Sequence, residues 1–424
     1  MKQRILELLR KSARHELVHG SALLFVGSII ASVFSFLFNL FLARRLSYGD
    51  YGVFAALLAI VTLVTIPSQS LTIIIVKFAT DYLISGRMEQ ASELYIKTLR
   101  LFIVTGCLIV LGFLIFSGPI ESFLHITNPG YIFLTGLIVA FIYVGIANGA
   151  FLQSLLKFGF ISICNIAGSF LKLIVGILLV MIGWRIYGAL GGVLTAFLLP
   201  LILTFFPLRF LLMARKKNVK LPLKEIFTYS LPSTIAILSL SSFISMDVVL
   251  VKHFFSAGDA GLYAGLSLIG KVLFYFTGPI PLVMFPLLIK RYTRKERFQD
   301  LFYMALLLVL VPSLAIVTFY FLFPKFTIQF FLGGRQYFTI SPYLWIFGLY
   351  LTLFNVVNVF LSFFLSIKAV GITYVIFVGA VIQIILISLF HSNFYMVIFS
   401  SAIDLLAIFI VFLLYYFKRY AISS

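Results

Sequence analysis

About twelve apolar runs follow one another along the chain, each close to the roughly 20 residues that a helix needs to cross a bilayer core of about 30 Å. They cover residues 20–43, 53–77, 98–117, 131–155, 160–182, 187–212, 228–254, 262–289, 301–323, 340–366, 370–390 and 394–417 of the 424. The connections between them are short, and none has room for a soluble domain. Composition points the same way: 62% of residues are hydrophobic, 11% are charged and 49 are Phe, more apolar side chain than a soluble core can enclose. A backbone surrounded by hydrocarbon must satisfy its own hydrogen bonds, and runs of this length do so as helices. The expected fold is an all-α polytopic membrane protein.

The formal net charge of +19 is sorted by loop. With the N-terminus inside, roughly 24 Lys and Arg fall on cytoplasmic segments and about 6 on external ones, as the positive-inside rule requires. Both termini are therefore expected in the cytoplasm of a cytoplasmic (inner) membrane protein. Basic charge of this kind sets topology, and the clusters at 215–225 and 290–297 are also suited to anionic membrane lipids. Short basic loops with no aromatic platform do not suit nucleic acid. Residues 1–19 are basic, carry charges scattered among apolar residues and lack a cleavage pattern, so they are expected to form an amphipathic segment on the inner surface. The remaining divisions are a first lobe at 20–212, a basic linker at 213–227, a second lobe at 228–417 and a cytoplasmic tail at 418–424.

The lobes follow from a repeat. Residues 47–55 read SYGDYGVFA and residues 256–264 read SAGDAGLYA, each between two apolar runs. Six runs separate the copies, an even number, so both lie on the external side. Two six-helix lobes in the same orientation are related by a pseudo-twofold axis along the membrane normal. A second match sets LKFGFISICNIAGSFLKLIVG, from Leu156, against IKAVGITYVIFVGAVIQIILI, from Ile367; Lys157 pairs with Lys368, Gly168 with Gly379 and Lys172 with Gln383. In the external motif the glycines are expected to allow a tight turn, with Ser47 or Asp50 capping the next helix.

The stretches GSIIASVFSFLFNLFLARRLSYGDYGVFAALLAI, KFATDYLISGR, LQSLLKFGF and YSLPSTIAILSLSSFISMDVVLVKHFFSAGDAGLYA resemble the polysaccharide transporter branch of the MOP superfamily, which contains O-antigen-type flippases. The resemblance runs through nearly the whole chain. It implies a MATE/MOP-like fold around a central cavity that opens alternately to each side. The implied substrate is an undecaprenyl-diphosphate-linked sugar made on the cytoplasmic leaflet. Lipid II flippases of the superfamily usually carry two further C-terminal helices, which sets that reading second.

Ionisable groups inside a span cost a few kcal/mol on insertion scales and are candidates for function. Lys172 and Lys271 are the candidate diphosphate-binding cations; Lys172 has no acid at matching depth in its own lobe, whereas Lys271 and Asp247 fall at similar depth on consecutive helices and could instead neutralise each other. Asp247 and Asp404 are candidates for ion coupling. Asn39, Gln69, Asn148, Gln153, Asn165, Asn355, Asn358 and Gln383 are candidates for a polar cavity wall, with helix-to-helix hydrogen bonds as the alternative for each. Arg44, Arg45 and Lys252 close their spans externally, either as interface anchors or as a basic ring at the cavity mouth. Pro67, Pro232, Pro279, Pro281 and Pro286 favour bends, and the eighth run is the expected gating helix.

No nucleotide-binding GxxxxGK[ST] occurs. Cys107 and Cys164 lie within apolar runs, and the five histidines are scattered near span ends without metal-ligand spacing, so neither a metal centre, a cofactor nor catalysis is expected. A monomeric flippase for a lipid-linked oligosaccharide is the expectation, with a complex with a polysaccharide polymerase or other assembly enzymes left open. A MATE-like cation-coupled exporter is the alternative; it would favour a buried carboxylate in the first lobe, where the sequence supplies none.

Overall fold

The computed structural model describes residues 26–213, 234–293, 296, 298–367 and 369–418. The amphipathic segment 1–19, the basic linker beyond Met213, Pro232, Lys368 and the tail beyond Lys418 lie outside the described residues, as do Arg294, Lys295 and Arg297 of the 290–297 cluster and the side chain of Gln69.

Sixteen helices account for nearly all of the described chain. In the first half they are α1 (Val26–Arg45), α2 (Tyr48–Ile84), α3 (Met88–Ile115), α4 (Ser117–Leu124), α5 (Pro129–Ser154), α6 (Phe158–Leu179) and α7 (Arg185–Met213). The second half holds α8 (Thr234–Phe243), α9 (Met246–Phe254), α10 (Ala257–Thr277), α11 (Pro279–Thr293), α12 (Gln299–Leu322), α13 (Pro324–Leu332), α14 (Ser341–Ser366), α15 (Thr373–Leu389) and α16 (Phe394–Tyr416). Among the described residues, nine helical stretches are long and apolar enough to cross a membrane, or ten if α8 and α9 form one span. One of the nine is α6 with α7, which turns at Gly183 (φ 102°) and Arg185 (φ 43°). Helix α15 is apolar but shorter. This is a multi-pass membrane protein, and its helices are compatible with twelve crossings.

The chain clusters into two compact units. The first comprises Met1–Phe41, Val64–Ser122 and Thr127–Ser230; in it α6 packs along α7, and α3 and α7 both pack on α5. The second comprises Leu42–Leu63, Phe123–Ile126 and Leu231–Ser424. Its centre is α14, mostly buried, against which α10, α11, α12 and α16 pack. The end of α1 and the start of α2 thus belong with the second unit, a division that the pattern of apolar runs does not reveal.

Local chemistry explains where the helices start and bend. Asn128, before Pro129 at the first helical position of α5, accepts the Gly130 amide, and Asn393 accepts that of Met396. In the eighth run the helix is interrupted at Gly278, between α10 and α11 just before Pro279 and Pro281, although Gly278 itself keeps helical angles. Pro67 instead remains within an unbroken α2, and Pro200, Pro207 and Pro312 within α7 and α12. The sharper feature is a 49° bend between α8 and α9.

The two Ser-x-Gly-Asp motifs correct one expectation. Ser47 Oγ accepts the Asp50 amide (3.2 Å) and Ser256 Oγ that of Asp259 (3.1 Å), so the serines cap α2 and α10. The glycines of the motifs, however, are helical: Gly86, Gly183 and Gly333 are the described glycines with positive φ. Gly52 and Gly261 are needed for the absence of a Cβ, because the backbones of α2 and α10 touch there.

Candidate functional site

In the first unit, Lys172 projects from the middle of α6 and is half-buried. Its Nζ donates to Ser35 Oγ on α1 (2.8 Å) and stands 5.4 Å from the centre of the Phe38 ring. Both partners are neutral, and among the described residues no carboxylate comes within 4 Å of Nζ. A hydroxyl and a π-face solvate an ammonium without cancelling its charge, which leaves it able to bind an anion. Helix α1 offers further polar groups: the hydroxyls of Ser28 and Ser32 and the amide of Asn39 share one face with Ser35, at i, i+4, i+11 and i+7. Asn39 itself donates to the Ser35 carbonyl (2.8 Å), a bond within its own helix.

In the second unit a larger polar cluster lies in the protein interior. Asp247, 1% exposed at the start of α9, accepts Tyr263 OH on α10 (2.9 Å) and the Val248 amide (2.8 Å). Lys271, further along α10, is half-buried; it lies within electrostatic reach of Asp247 but outside the 4 Å of an ion pair. The bend after α8 frees the Phe243 carbonyl, which accepts Tyr350 OH from α14 and Gln383 Nε2 from α15 (3.2 Å). Gln383 Nε2 also donates to Ser401 Oγ (3.0 Å) on α16. One turn along α16, Asp404 is 5% exposed, and its Oδ2 and Gln383 Oε1 are buried with no hydrogen-bond partner among the described residues. Two orphaned acceptors in one interior, each costing about 1–3 kcal/mol if left so, suit a proton or a small cation.

The remaining candidates separate. Asn148 is fully buried, accepting Tyr95 OH (2.8 Å) and donating to Thr204 Oγ1 (2.9 Å), so it joins α3, α5 and α7. Asn355 is buried with its Nδ2 unpartnered, Gln153 and Asn358 are half-buried, and Asn165 is exposed. Arg44 donates Nε to Phe331 O (2.9 Å) and Nη2 to Phe330 O (2.5 Å), where it caps the C-terminus of α13; Arg45 is exposed. Lys252, at 2% exposure, is buried in the last turn of α9, where the helix dipole favours a cation.

Several participants escaped the sequence reading. Ser35, Tyr263, Tyr350 and Ser401 are polar groups within apolar runs, a signal available in the sequence. The histidines are less scattered than their spacing suggests. His253 stacks on Phe123 at 4.0 Å, has His125 at 5.7 Å and bonds the Phe123 carbonyl through Nδ1 (2.6 Å), while His391 stacks on Phe254 at 3.9 Å. Rings stacked face to face do not converge on a common point, and among the described residues no group of three or more His, Cys, Asp or Glu is arranged to hold a metal.

A family model described as "Polysaccharide biosynthesis protein" matches residues 41–342. Among solved structures, an inward-facing multidrug resistance MATE family transporter of the MOP superfamily is similar at TM-score 0.76 and 12% identity, over 91% of this chain and 94% of that one. The lipid II flippase MurJ in an inward closed conformation is similar at TM-score 0.71 and 15% identity, over 94% and 88%. A MOP superfamily transporter from Pyrococcus furiosus, described by the reverse polarity of its binding pocket, gives 0.65 and 15%, over 95% of each chain. No curated protein sequence matches. At these identities the structural likeness concerns the fold alone, which resembles that of these MOP superfamily transporters.

Proposed function

The chain belongs to the polysaccharide biosynthesis protein family, and from that premise we propose that it is a flippase. It moves a polyprenyl-diphosphate-linked oligosaccharide from the cytoplasmic to the external leaflet by alternating access. The observation that carries this reading is Lys172, a cation inside a membrane helix whose near partners are a hydroxyl and an aromatic face. A diphosphate supplies the missing anion through charge-assisted hydrogen bonds, and Lys271 is the second cation for it. The hydroxyl face of α1 offers neutral partners for sugar.

The membrane potential can drive the step, because an anion leaving a negative interior releases about 2.3 kcal/mol per charge per 100 mV. Coupling to an inward proton or cation through Asp404, with Asp247 as the second acid, is supported by the unpartnered acceptors Asp404 Oδ2 and Gln383 Oε1. A MATE-like exporter is the second reading; these acids would serve its cation coupling from the second half, not from the first lobe where such an exporter favours its carboxylate.

The test is reconstitution into liposomes with a fluorescent polyprenyl-diphosphate sugar, following its exposure to an added modifying enzyme while the potential and ion gradients are varied. Transfer that responds to the potential or to an ion gradient is expected. Movement of drug-like cations with no movement of the lipid-linked sugar would overturn the flippase in favour of the exporter.

A further inference from the structure

We infer that helices α1 and α6 together form a carbohydrate site, in which the sugar of the lipid-linked substrate lies along the two helices on the N-terminal side of Lys172. The inference rests on the flippase reading above and gives the head group a place next to the diphosphate. Both helices belong to the first unit through this stretch, and they run side by side in the same direction. A Cβ at Gly27 would overlap the Ser162 hydroxyl, and the rings of Phe34 and Phe170 meet edge to face at 5.4 Å. Further along, Lys172 reaches Ser35 and a Cβ at Gly176 would overlap the Phe38 ring. The contacts advance in step, so a position on one helix can be matched in depth with a position on the other.

On α6, Asn165, Ser169 and Lys172 recur at i, i+4 and i+7 and share one face. Asn165 is exposed although it lies about 10 Å into the helix, within an apolar run. The opposite face carries Ile163, Phe170 and Ile174, all exposed, an apolar surface suited to hydrocarbon. Helix α1 is built the same way. Val26, Ile30, Val33 and Leu37 are exposed on one side, while Ser28 and Ser32 are exposed on the other, the side shared with Ser35. An amide or hydroxyl turned to hydrocarbon forfeits its hydrogen bonds to water, so the two polar faces border water or a polar ligand. Matched in depth, Ser28 falls close to Asn165 and Ser32 close to Ser169. The resulting stripe runs about 10 Å from Ser28 to Ser35. Apart from Lys172 its side chains are uncharged, and each can both donate and accept a hydrogen bond. That pattern suits the neighbouring hydroxyls of a sugar, with Lys172 at its end to take the phosphate. The loop charges place the N-terminal ends of both helices in the cytoplasm, the side from which the head group enters.

The test measures binding to the full chain in detergent with two probes, farnesyl diphosphate and farnesyl diphosphate carrying one N-acetylglucosamine. The unsubstituted chain should bind the sugar-bearing probe about ten-fold more tightly, the effect of a few ordinary hydrogen bonds. Asn165→Leu/Ser169→Ala should remove that preference, and Lys172→Gln should weaken both probes while keeping it. An unchanged preference in Asn165→Leu/Ser169→Ala, or no preference in the unsubstituted chain, would overturn the sugar site and leave the flippase reading standing. Binding of neither probe would overturn both. A second arm needs no ligand and uses proteoliposomes in which Cys107→Ser and Cys164→Ser remove the native thiols. With an impermeant thiol reagent on both sides of the membrane, Ser32→Cys and Asn165→Cys should react about ten-fold faster than Val33→Cys and Ile163→Cys on the opposite faces. Equal rates on the two faces would show that the polar stripe is turned to lipid, which would also overturn the site.

Discussion

Lys172 of the first half and Gln383 of the second stand at corresponding positions of the repeat, and each reaches the first helix of its own half about three turns before the Ser-x-Gly-Asp motif. Lys172 meets the Ser35 hydroxyl on α1, and Gln383 meets the Phe243 carbonyl at the end of α8. The difference lies in the backbone. Helix α1 runs unbroken past Ser35, so its carbonyls there are spent on its own ladder and a cation finds a side-chain hydroxyl. The second half bends by 49° between α8 and α9, which frees a carbonyl that a neutral amide can satisfy. Around that amide the second half collects Asp247 and Asp404, both buried, where the first half surrounds its lysine with Ser35 and Phe38. The close approaches beside the pair are retained: a Cβ at Gly168 would overlap the carbonyl of Ala196, and one at Gly379 would crowd Ile408. The two halves keep their packing glycines at these positions and differ in charge: Lys172 is a cation where Gln383 is neutral, and the acids Asp247 and Asp404 lie in the second half together with Lys271.

The sharpest way to break this comparison is to give the first half the residue of the second. Lys172→Gln keeps a long polar side chain able to bond Ser35 but removes the charge. A charge-assisted bond to phosphate is worth about 1.5–3 kcal/mol, which corresponds to a roughly ten- to hundred-fold fall in flipping. Membrane abundance should remain near that of the unsubstituted protein, since the partners left behind are neutral. Full activity in Lys172→Gln would show that the two positions share a packing role and that the cation is incidental.

A smaller effect is expected where the second half holds a cation and an acid together. Asp247 already has Tyr263 OH and the Val248 amide as donors, and no ion pair joins it to Lys271. Lys271→Ala and Asp247→Asn should each reduce transport several-fold, of the order of 1 kcal/mol, and leave the protein folded. Their effects on thermal unfolding in detergent should add. Loss of folding in both single variants, with recovery in the double variant, would make the pair a structural ion pair and remove Lys271 from the substrate site.

Much of the architecture was legible because the bilayer allows few solutions. Length and hydropathy mark the apolar helices, and the doubled motif marks the starts of α2 and α10. The breaks were harder. Proline flagged the interruption before Pro279 but also flagged Pro67, where α2 continues; no proline marks the bend at residues 244–245, which the Tyr350 and Gln383 donors to Phe243 support. Among site residues, charge within an apolar run singled out Lys172, Asp247, Lys271 and Asp404. Burial then separated groups that look alike in sequence: Asn148 is committed to Tyr95 and Thr204, whereas Gln383 keeps an unpartnered oxygen. The glycines of the motif were read as turn formers because sequence gives φ preference more readily than a backbone contact made across about two hundred residues.

The smallest expected effect comes from the hydroxyl that Lys172 uses. Ser35→Ala removes one neutral partner, while the Phe38 face and the charge itself remain. A typical net hydrogen bond is worth about 0.5–1.5 kcal/mol, so flipping should fall by only about two- to ten-fold. Ser35→Thr, which keeps the hydroxyl, should lie closer to the unsubstituted protein. Initial rates at several concentrations of the lipid-linked sugar are the measurement. If Ser35 orients the ammonium toward phosphate, the loss should appear at low and saturating substrate alike, because a misdirected cation weakens the occluded complex as well as the first encounter. If Ser35 only binds sugar, saturating substrate should recover the rate. A fall in Ser35→Ala as large as that in Lys172→Gln would mean that the hydroxyl, and not the charge, is what distinguishes the first half from the second.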